Sequence, residues 1–587
     1  MTNAEISKLF RHVAAAYAVK DEKKHYFQIV AYQRAADIIE ASPAEMRDLF
    51  KEGKLQTVPG IGPSIKTHLE ELITTGKVKH FDQVMNAVPQ AMFPLLDIPS
   101  FGPKKAFKLV TIFHLQNQES VIEDIEKLAL DNKIAQLEGF GEKSQNDILQ
   151  AISEYKTGTT KSARMVLPFA AELADQMITY MKLCAKVNTI YPLGSLRRMV
   201  ATIGDVDLAV ASGDPKAVIE HFTAYPNKER VIEQGPATAS ILMSGGKHVD
   251  LMVQPPDRFG SLLQHFTGSK QHNIHLREVA LKKNLSLSEY GIKEKGSEEK
   301  GKFDTEEKFY RALGMVWIPP EIREDTGEIE LALKNNLPNL VELEDIQGDF
   351  HIHSNFAIEP SHDLGRNTIE EMVQKALKLK YTSIGFSEHN PSVSKHSSKE
   401  TYDLVAQRNE ALEKVQQKFK KIKIFKLMET DILANGKIGL DEKSLSILDA
   451  TIVSIHSSFG MSKNEMTKRV IAGLSHPKAK ILAHPTGRLL NQRPGYELDW
   501  DILFPFCKEH NKALEINAFP ARLDLPDSLV RKAVEYGIKF FINTDSHAAA
   551  HMDLMRFGVS VARRGWATKH DILNAMEYNK LEQWFKQ

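Results

Sequence analysis

Two runs of this chain, Tyr191-Pro192-Leu193-Gly194-Ser195-Leu196-Arg197-Arg198 and Gly204-Asp205-Val206-Asp207-Leu208-Ala209-Val210, decide how its middle third is read. Asp205 and Asp207 stand two apart on a predicted strand, so both carboxylates face one side. A second predicted strand, His248-Val249-Asp250-Leu251-Met252-Val253, offers a third carboxylate. Two carboxylates at about 4 Å repel by roughly 4 kcal/mol at an effective dielectric near 20. Such a cluster calls for cations, and oxygen-only ligation suits Mg²⁺.

An Asp-x-Asp pair alone is usually an exposed strand edge. Here a Gly194-Ser195 turn precedes it, which suits a triphosphate, with Arg198 supplying charge. The whole run reads as a nucleotidyltransferase, in which two Mg²⁺ ions activate a 3′-hydroxyl and neutralise leaving pyrophosphate.

Toward the N-terminus, the first 150 or so residues read as short amphipathic helices separated by glycine turns. One pattern repeats at about forty-residue spacing: Val58-Pro59-Gly60-Ile61-Gly62, Ile98-Pro99-Ser100-Phe101-Gly102, and Leu137-Glu138-Gly139-Phe140-Gly141. Glycines ahead of a helix N-terminus aim free backbone amides at an anion, and the helix dipole adds to the attraction. One copy would be an ordinary helix–helix turn. Three look like helix-hairpin-helix modules, which grip DNA phosphates without reading sequence, at Gly60, Gly62, Gly102, Gly139 and Gly141.

Toward the C-terminus, a charged and proline-rich stretch around Pro319-Pro320 precedes a region that alternates apolar strands with helices, which implies a parallel sheet or barrel. Twelve of the 22 histidines lie after residue 347. Seven predicted strands end in metal-type ligands: Asp349-Phe-His351-Ile-His353, Thr382 to His389, Ile424 to Glu429, Thr451 to His456, Ile481-Leu-Ala-His484, Ala513-Leu-Glu515-Ile-Asn517, and Phe540 to Asp545-Ser-His547. In a parallel barrel the C-terminal strand ends converge on one mouth. A lone histidine at a strand end is more often structural, but seven successive ones predict a metal site. Mixed imidazole and carboxylate donors suit Mn²⁺, Zn²⁺ or Fe²⁺, and Arg488 is placed to hold a phosphate.

Composition narrows the class. With 587 residues, 42% hydrophobic and 26% charged, the chain predicts several globular domains. No run approaches the eighteen or so apolar residues of a membrane span. Glu5 and Lys8 interrupt any signal-peptide core, and two cysteines exclude a disulfide framework. A cytoplasmic, nucleoid-associated monomer is expected, with no membrane partner. The net charge of zero means that DNA is gripped locally, not by a global basic field.

Phe259-Gly260, His265-Phe266-Thr267-Gly268-Ser269-Lys270-Gln271-His272-Asn273, Arg277 and Ser288-Glu289-Tyr290-Gly291-Ile292 resemble the thumb of family X DNA polymerases. With the hairpins, the resemblance covers roughly residues 1–325. It implies Asp205, Asp207 and Asp250 as catalytic metal ligands. It places Arg164, Gly194, Ser195 and Arg198 at the incoming triphosphate, and Gly268, Asn273 and Arg277 near sugar, base and template. The C-terminal half resembles the polymerase and histidinol phosphatase domain, a distorted seven-stranded barrel with three metal ions. That implies His351, His353, Asp363, His389, Glu429, His456, His484, Asp545 and His547 as ligands, with His362 competing with Asp363.

The expected architecture is therefore a multidomain α/β chain. It comprises a helix-hairpin-helix domain (1–85), helical fingers (86–160), an α+β nucleotidyltransferase palm (161–258), a thumb (259–318), a linker (319–347) and a distorted (β/α)7 barrel (348–587). The expected activity is template-directed filling of short gaps in DNA repair, from deoxynucleoside triphosphates on gapped or nicked DNA, with a 3′→5′ exonuclease or 3′-end-processing activity in the barrel. His265 stands where the family has tyrosine, Ala201 where it has an acid, and His248 and Met252 where polymerase beta has arginines. These departures keep open a mainly nucleolytic or phosphatase protein with an impaired polymerase half. A non-catalytic DNA-binding scaffold fits poorly with two full ligand sets. On the same resemblance the lysine that forms a Schiff base in polymerase beta falls on His68, and a neighbouring phosphate-binding lysine on Ser64. Imidazole forms no stable iminium, so no efficient lyase activity is expected.

Overall fold

The computed structural model describes residues 1, 3–41, 46–51, 55, 61–98, 101–156, 164–243, 246–294 and 300–587. Gly60 of the first hairpin, with Val58 and Pro59, and Pro99 and Ser100 of the second lie outside them. The chain forms two compact units. One is Met1–Ala163 with Tyr225–Glu233 and Ser240–Val249; the other is Arg164–Ala224, Gln234–Ala239 and Asp250–Gln587. Among the described residues no helix is long and apolar enough to cross a membrane.

The first unit is mainly helical around one core. Phe10, Phe81, Leu69, Leu109, Ile125 and Ile148 are buried together, and Phe10 meets Phe81 edge-on at 5.3 Å. Gly62 and Gly102 are the N-caps of the helices Pro63–Thr75 and Pro103–Ile112, both in extended backbone with proline at the first helical position. Proline there forgoes only an amide the helix could not use and pre-sets its φ. Gly76, at φ +74, ends the first of these helices and donates its N–H to the Leu72 carbonyl.

In the second unit, strand Val206–Ala211 pairs antiparallel with Thr189–Pro192, setting Pro192 opposite Leu208. Leu193 N–H then donates to the Asp207 carbonyl at 2.8 Å, and this register brings the Gly194 turn to Asp207. The helices Phe259–Thr267, Lys270–Lys282 and Glu306–Ala312 follow, with a hairpin, Leu285–Ser288 and Gly291–Glu294. A Cβ on Gly260 would fall 2.2 Å from the Thr305 carbonyl carbon, so only glycine lets this helix approach so closely. The stretch expected to be a linker, 319–347, is packed instead: Ile322, Ile329, Ala332 and Leu340 join Leu276, Phe309 and Trp566 in one core.

The C-terminal region holds two parallel sheets. Gly348–Ile352, Ser383–Phe386 and Lys423–Lys426 form one. Glu429–Asp431, Thr451–Ser454, Ala479–Leu482, Ala513–Asn517 and Phe540–Asn543 form the other. A parallel bridge between Ile352 and Ser546 joins their far edges. Eight strands thus replace the expected seven, because the strand expected from Ile424 to Glu429 breaks after Lys426. Nearly every strand residue is buried, as a sheet covered on both faces requires. Three intervening helices begin with capping boxes, Thr368/Glu371, Ser397/Glu400 and Ser462/Glu465, a pattern visible as Ser/Thr-x-x-Glu in the chain.

Candidate active sites

Asp205 lies exposed in the turn between Thr202–Ile203 and Val206–Ala211, and Asp207 is half-buried on the strand. Burial, reinforced by Asp250 and Asp205, pushes the Asp207 carboxyl up to about 7. Three acidic groups are therefore close enough to oppose one another's charge, and a divalent cation would relieve them. Gly194 has φ +56, and a Cβ there would stand 2.8 Å from Asp207 Oδ2. Arg164 donates to Thr202 Oγ1 at 2.9 Å and to the Thr202 carbonyl, which lays it beside the Asp205 turn.

Ser195 and Arg198 sit on the short helical turn that begins at Gly194. Arg198 Nε donates to Glu324 at 3.0 Å and its Nη1 to the Thr267 carbonyl at 2.5 Å. Gly268, at φ +71, would place a Cβ 3.0 Å from Arg198 Nη1. Gly194 thus lies against Asp207, and Arg198, at the end of the turn that Gly194 opens, lies against Gly268. Asn273 is engaged within the thumb: it accepts from Gln264 Nε2 at 2.9 Å and donates to the His265 carbonyl at 2.7 Å. Arg277, on the same helix, is exposed. Below the site, Arg197 grips Glu306 at 2.6 and 3.0 Å, and Arg323 Nη1 donates to the same carboxylate at 2.6 Å. Burial opposes ionisation of Glu306, but Arg323 and Arg197 hold its carboxyl at about 2.

At the barrel mouth one carboxylate organises five imidazoles. Glu429 lies 3.1 Å from His351, 3.6 Å from His353, 3.1 Å from His389, 3.3 Å from His456 and 3.0 Å from His484. Asp545 lies 3.5 Å from His351, 3.4 Å from His353 and 3.6 Å from His547. Asp363, on an exposed loop, lies 3.6 Å from His389 and 3.7 Å from His547. His362 instead lies 3.3 Å from Asp431, with its ring against His456 and His389, so the two competitors share only His389. Burial lowers His353, helped by His547, to about 3, and His456 to about 4. Against burial, Glu515, Asp545 and Glu429 hold His351 above its ordinary value.

These donors fit divalent cations. Both ring nitrogens of His353, Nδ1 of His484 and Nε2 of His547 are buried without a hydrogen-bond partner, each an omission worth about 1–3 kcal/mol unless something binds there. Neutral imidazoles among carboxylates are intermediate-softness ligands for Mn²⁺, Zn²⁺ or Fe²⁺. Among the described residues, triads with donor atoms within 4.8 Å of one another occur only in this region: His351/His353/Asp545, His353/His389/His547, His389/Glu429/His456 and His362/Asp431/His456. The palm carboxylates are more widely spread.

Asp431 and Arg522 escaped sequence reasoning, and Glu515, read there only as a residue of a ligand-bearing strand end, was left out of the ligand set. Asp431 lies 2.8 Å from His456 Nδ1 and Glu515 Oε1 2.7 Å from His351 Nδ1, so both orient ligands from behind. The Glu429-x-Asp431 spacing repeats that of Asp205-x-Asp207 and could have revealed the first. Arg522 Nε lies 3.6 Å from Asp545. Arg488, expected to take a phosphate, is instead turned inward, donating to the Arg522 and Leu523 carbonyls.

In the first unit, Gly62, Gly102 and Gly141 have nothing within 4 Å of their Cβ positions, so a phosphate can approach them closely. Gly139 differs: it has φ +82, and Lys108 Nζ lies 3.5 Å from its Cβ position while donating to the Glu138 carbonyl at 2.5 Å. His68 Nδ1 lies 2.9 Å from Tyr32 Oη, and its ring stacks on His80 at 5.1 Å. His68 is thus held in an aromatic stack.

A carboxylate-bearing palm with a thumb, joined to a barrel carrying imidazole–carboxylate triads, defines a nucleotidyltransferase coupled to a metal-dependent phosphoesterase. Residues 262–324 match the DNA polymerase beta thumb family and residues 1–78 a helix-hairpin-helix domain family. The chain is 32% identical over 588 residues, and over all of both chains, to the DNA polymerase/3'-5' exonuclease PolX of Bacillus subtilis. It is 28% identical to a probable phosphatase of Caldicellulosiruptor saccharolyticus over 31% of this chain and 74% of that one. It is 23% identical to DNA polymerase lambda of Arabidopsis thaliana over 55% of this chain and 62% of that one. The chain belongs to the bacterial-type PolX family of family X DNA polymerases, which carry a C-terminal polymerase and histidinol phosphatase domain.

Proposed function

We propose that the chain fills short gaps in DNA at the palm and trims DNA 3′ ends at the barrel mouth. The observation that carries the reading is the pairing, in one chain that matches PolX over its whole length, of the Asp205/Asp207/Asp250 cluster with the Glu429-centred imidazole cluster. Mg²⁺ in the palm, and three Mn²⁺, Zn²⁺ or Fe²⁺ ions in the barrel, would supply charge neutralisation and hydroxyl activation. Asp205, Asp207 and Asp250 hold the palm cations. Arg198 and the Gly194-Ser195 turn receive the triphosphate, Arg164 braces the Asp205 turn, and Gly268 leaves room beside Arg198. Arg277 is open to template, while Asn273 sets the thumb helices and reaches a base only by exchanging its internal bonds. In the barrel, His351, His353, Asp363, His389, Glu429, His456, His484, Asp545 and His547 hold the ions, and Arg522 faces the phosphate. Gly62, Gly102 and Gly141 take DNA backbone.

The test is a gapped, 5′-phosphorylated duplex incubated with Mg²⁺ or Mn²⁺, with and without nucleotides. Gap closure with nucleotides and 3′ shortening without them are expected. A preparation that shortens the primer but never extends it, at any metal concentration, overturns the polymerase half of the reading.

A further inference from the structure

We propose that Arg564, which belongs to the barrel region, is a positioning residue for nucleotide addition: it sets Arg198 to receive the triphosphate. The proposal rests on the role given to Arg198 above. Arg564 is the last residue of the helix Met555–Arg564, and its side chain is only 9% exposed. Its Nη1 lies 2.7 Å from the Arg198 carbonyl, 3.0 Å from Glu324 Oε1 and 3.3 Å from the Glu321 carbonyl. Its Nε donates to Asp527 at 2.7 Å, which fixes the guanidinium from the other side. Next to it, Arg563 donates to Glu321 at 2.8 Å and to the Val341 carbonyl at 3.1 Å.

The decisive contact is shared. Arg198 Nε donates at 3.0 Å to the same Glu324 oxygen that Arg564 approaches. One carboxylate oxygen therefore lies between two guanidinium groups, and its charge is divided between them. If Arg564 were absent, Glu324 would pair with Arg198 alone and offset the charge meant for a phosphate. The Arg198 carbonyl, on the residue whose N–H closes the Gly194 turn at 3.2 Å, would also lose its Arg564 donor. Of the five N–H groups of Arg198, two are engaged, at Glu324 and Thr267, leaving three for a triphosphate. A residue of the phosphoesterase half thus helps build the nucleotide subsite without touching the nucleotide.

The experiment is single-nucleotide addition by the full chain on a gapped duplex, with exonuclease digestion of single-stranded DNA measured alongside. Arg564→Met should raise KM for the nucleotide about tenfold while leaving kcat within about twofold, with digestion unchanged. Glu324→Gln placed in that variant should bring KM back toward wild type, because the unshared charge is gone. A wild-type KM in Arg564→Met, or a double variant no better than the single one, overturns the proposal. So does a joint fall of kcat, digestion and melting midpoint, which would mark a merely structural residue. Arg198→Ala separates the two layers. If it raises KM and Arg564→Met does not, only the positioning role fails; if it too leaves KM unchanged, the assignment of Arg198 to the triphosphate fails with it.

Discussion

In the barrel, every carboxylate of the mouth is met by imidazoles: Glu429 has five within 3.6 Å, and Asp545 has three. In the palm, Asp207 is met mainly by other acids, and burial together with Asp250 and Asp205 drives its carboxyl up to about 7. Both centres are built for divalent ions, yet one carries its own partial counter-charge and the other does not. The difference matches their tasks. A buried site assembled from many strands can hold divalent ions tightly, whereas a more open acidic one suits a divalent cation that is shared with substrate phosphates.

That contrast can be broken most sharply at the palm. Asp205→Ala combined with Asp207→Ala should lower nucleotide addition by more than about 10³-fold, upwards of 4 kcal/mol of barrier, and leave 3′ digestion intact. Extension persisting within tenfold of wild type would remove these residues from the metal site.

The reciprocal change is Glu429→Gln. Metal analysis of the purified variant should show depleted ions, with digestion down at least about a hundredfold and gap filling preserved. Digestion at the wild-type rate in freshly metallated protein would dissolve the role of Glu429 as the hub of the mouth.

A subtler difference concerns pH in metal-free protein. Asp207 has a folded pKa raised above its unfolded value, so the folded state binds the extra proton, and stability falls as pH rises from about 4 to about 7. Asp207→Asn should therefore raise the melting midpoint at pH 8 by about 2–4 °C and by clearly less at pH 5, where only the first part of that loss has accrued. Calorimetry with a chelator reads this directly. Equal midpoints at both pH values would mean the acidic groups are too well solvated to repel.

The smallest expected signal is a null one. Borohydride treatment of the protein on an incised abasic duplex should trap no covalent adduct, because His68 and its stacked partners stand where an amine is required. A strong adduct that disappears in Lys66→Ala would show that a neighbouring amine takes over.

Legibility in the sequence followed local constraint. Position along the chain was easier to read than orientation: His351, His353, Glu429, His456, His484 and Asp545 do lie at or near strand ends, but Asp205, expected on one strand face with Asp207, sits in the exposed turn before that strand because the strand begins only at Val206. Residues whose direction depends on a loop were not readable. The choice between Asp363 and His362 turns on how the loop of residues 354–365 folds over the mouth, and the chain offered no periodicity there. Arg488 looked like a free phosphate ligand but is turned toward the Arg522 and Leu523 carbonyls by a turn that no short motif announces. The break between Lys426 and Glu429 was invisible for a related reason: an apolar run does not reveal where a strand leaves one sheet for the next. The stretch 319–347 misled through composition, since its prolines and charges conceal Ile322, Ile329 and Leu340, which pack inward.

The Glu306 clasp has a consequence for ionic strength. With its side chain only 3% exposed between Arg197 and Arg323, the clasp is sheltered from mobile ions, while the exposed backbone at Gly62 and Gly102, proposed above to take DNA phosphates, lies open to them. Added salt shortens the reach of exposed charges to a few ångströms and weakens DNA phosphate binding steeply. Raising the salt should therefore detach the enzyme from its template well before it loosens thumb from palm, leaving an intact catalyst with nothing to copy.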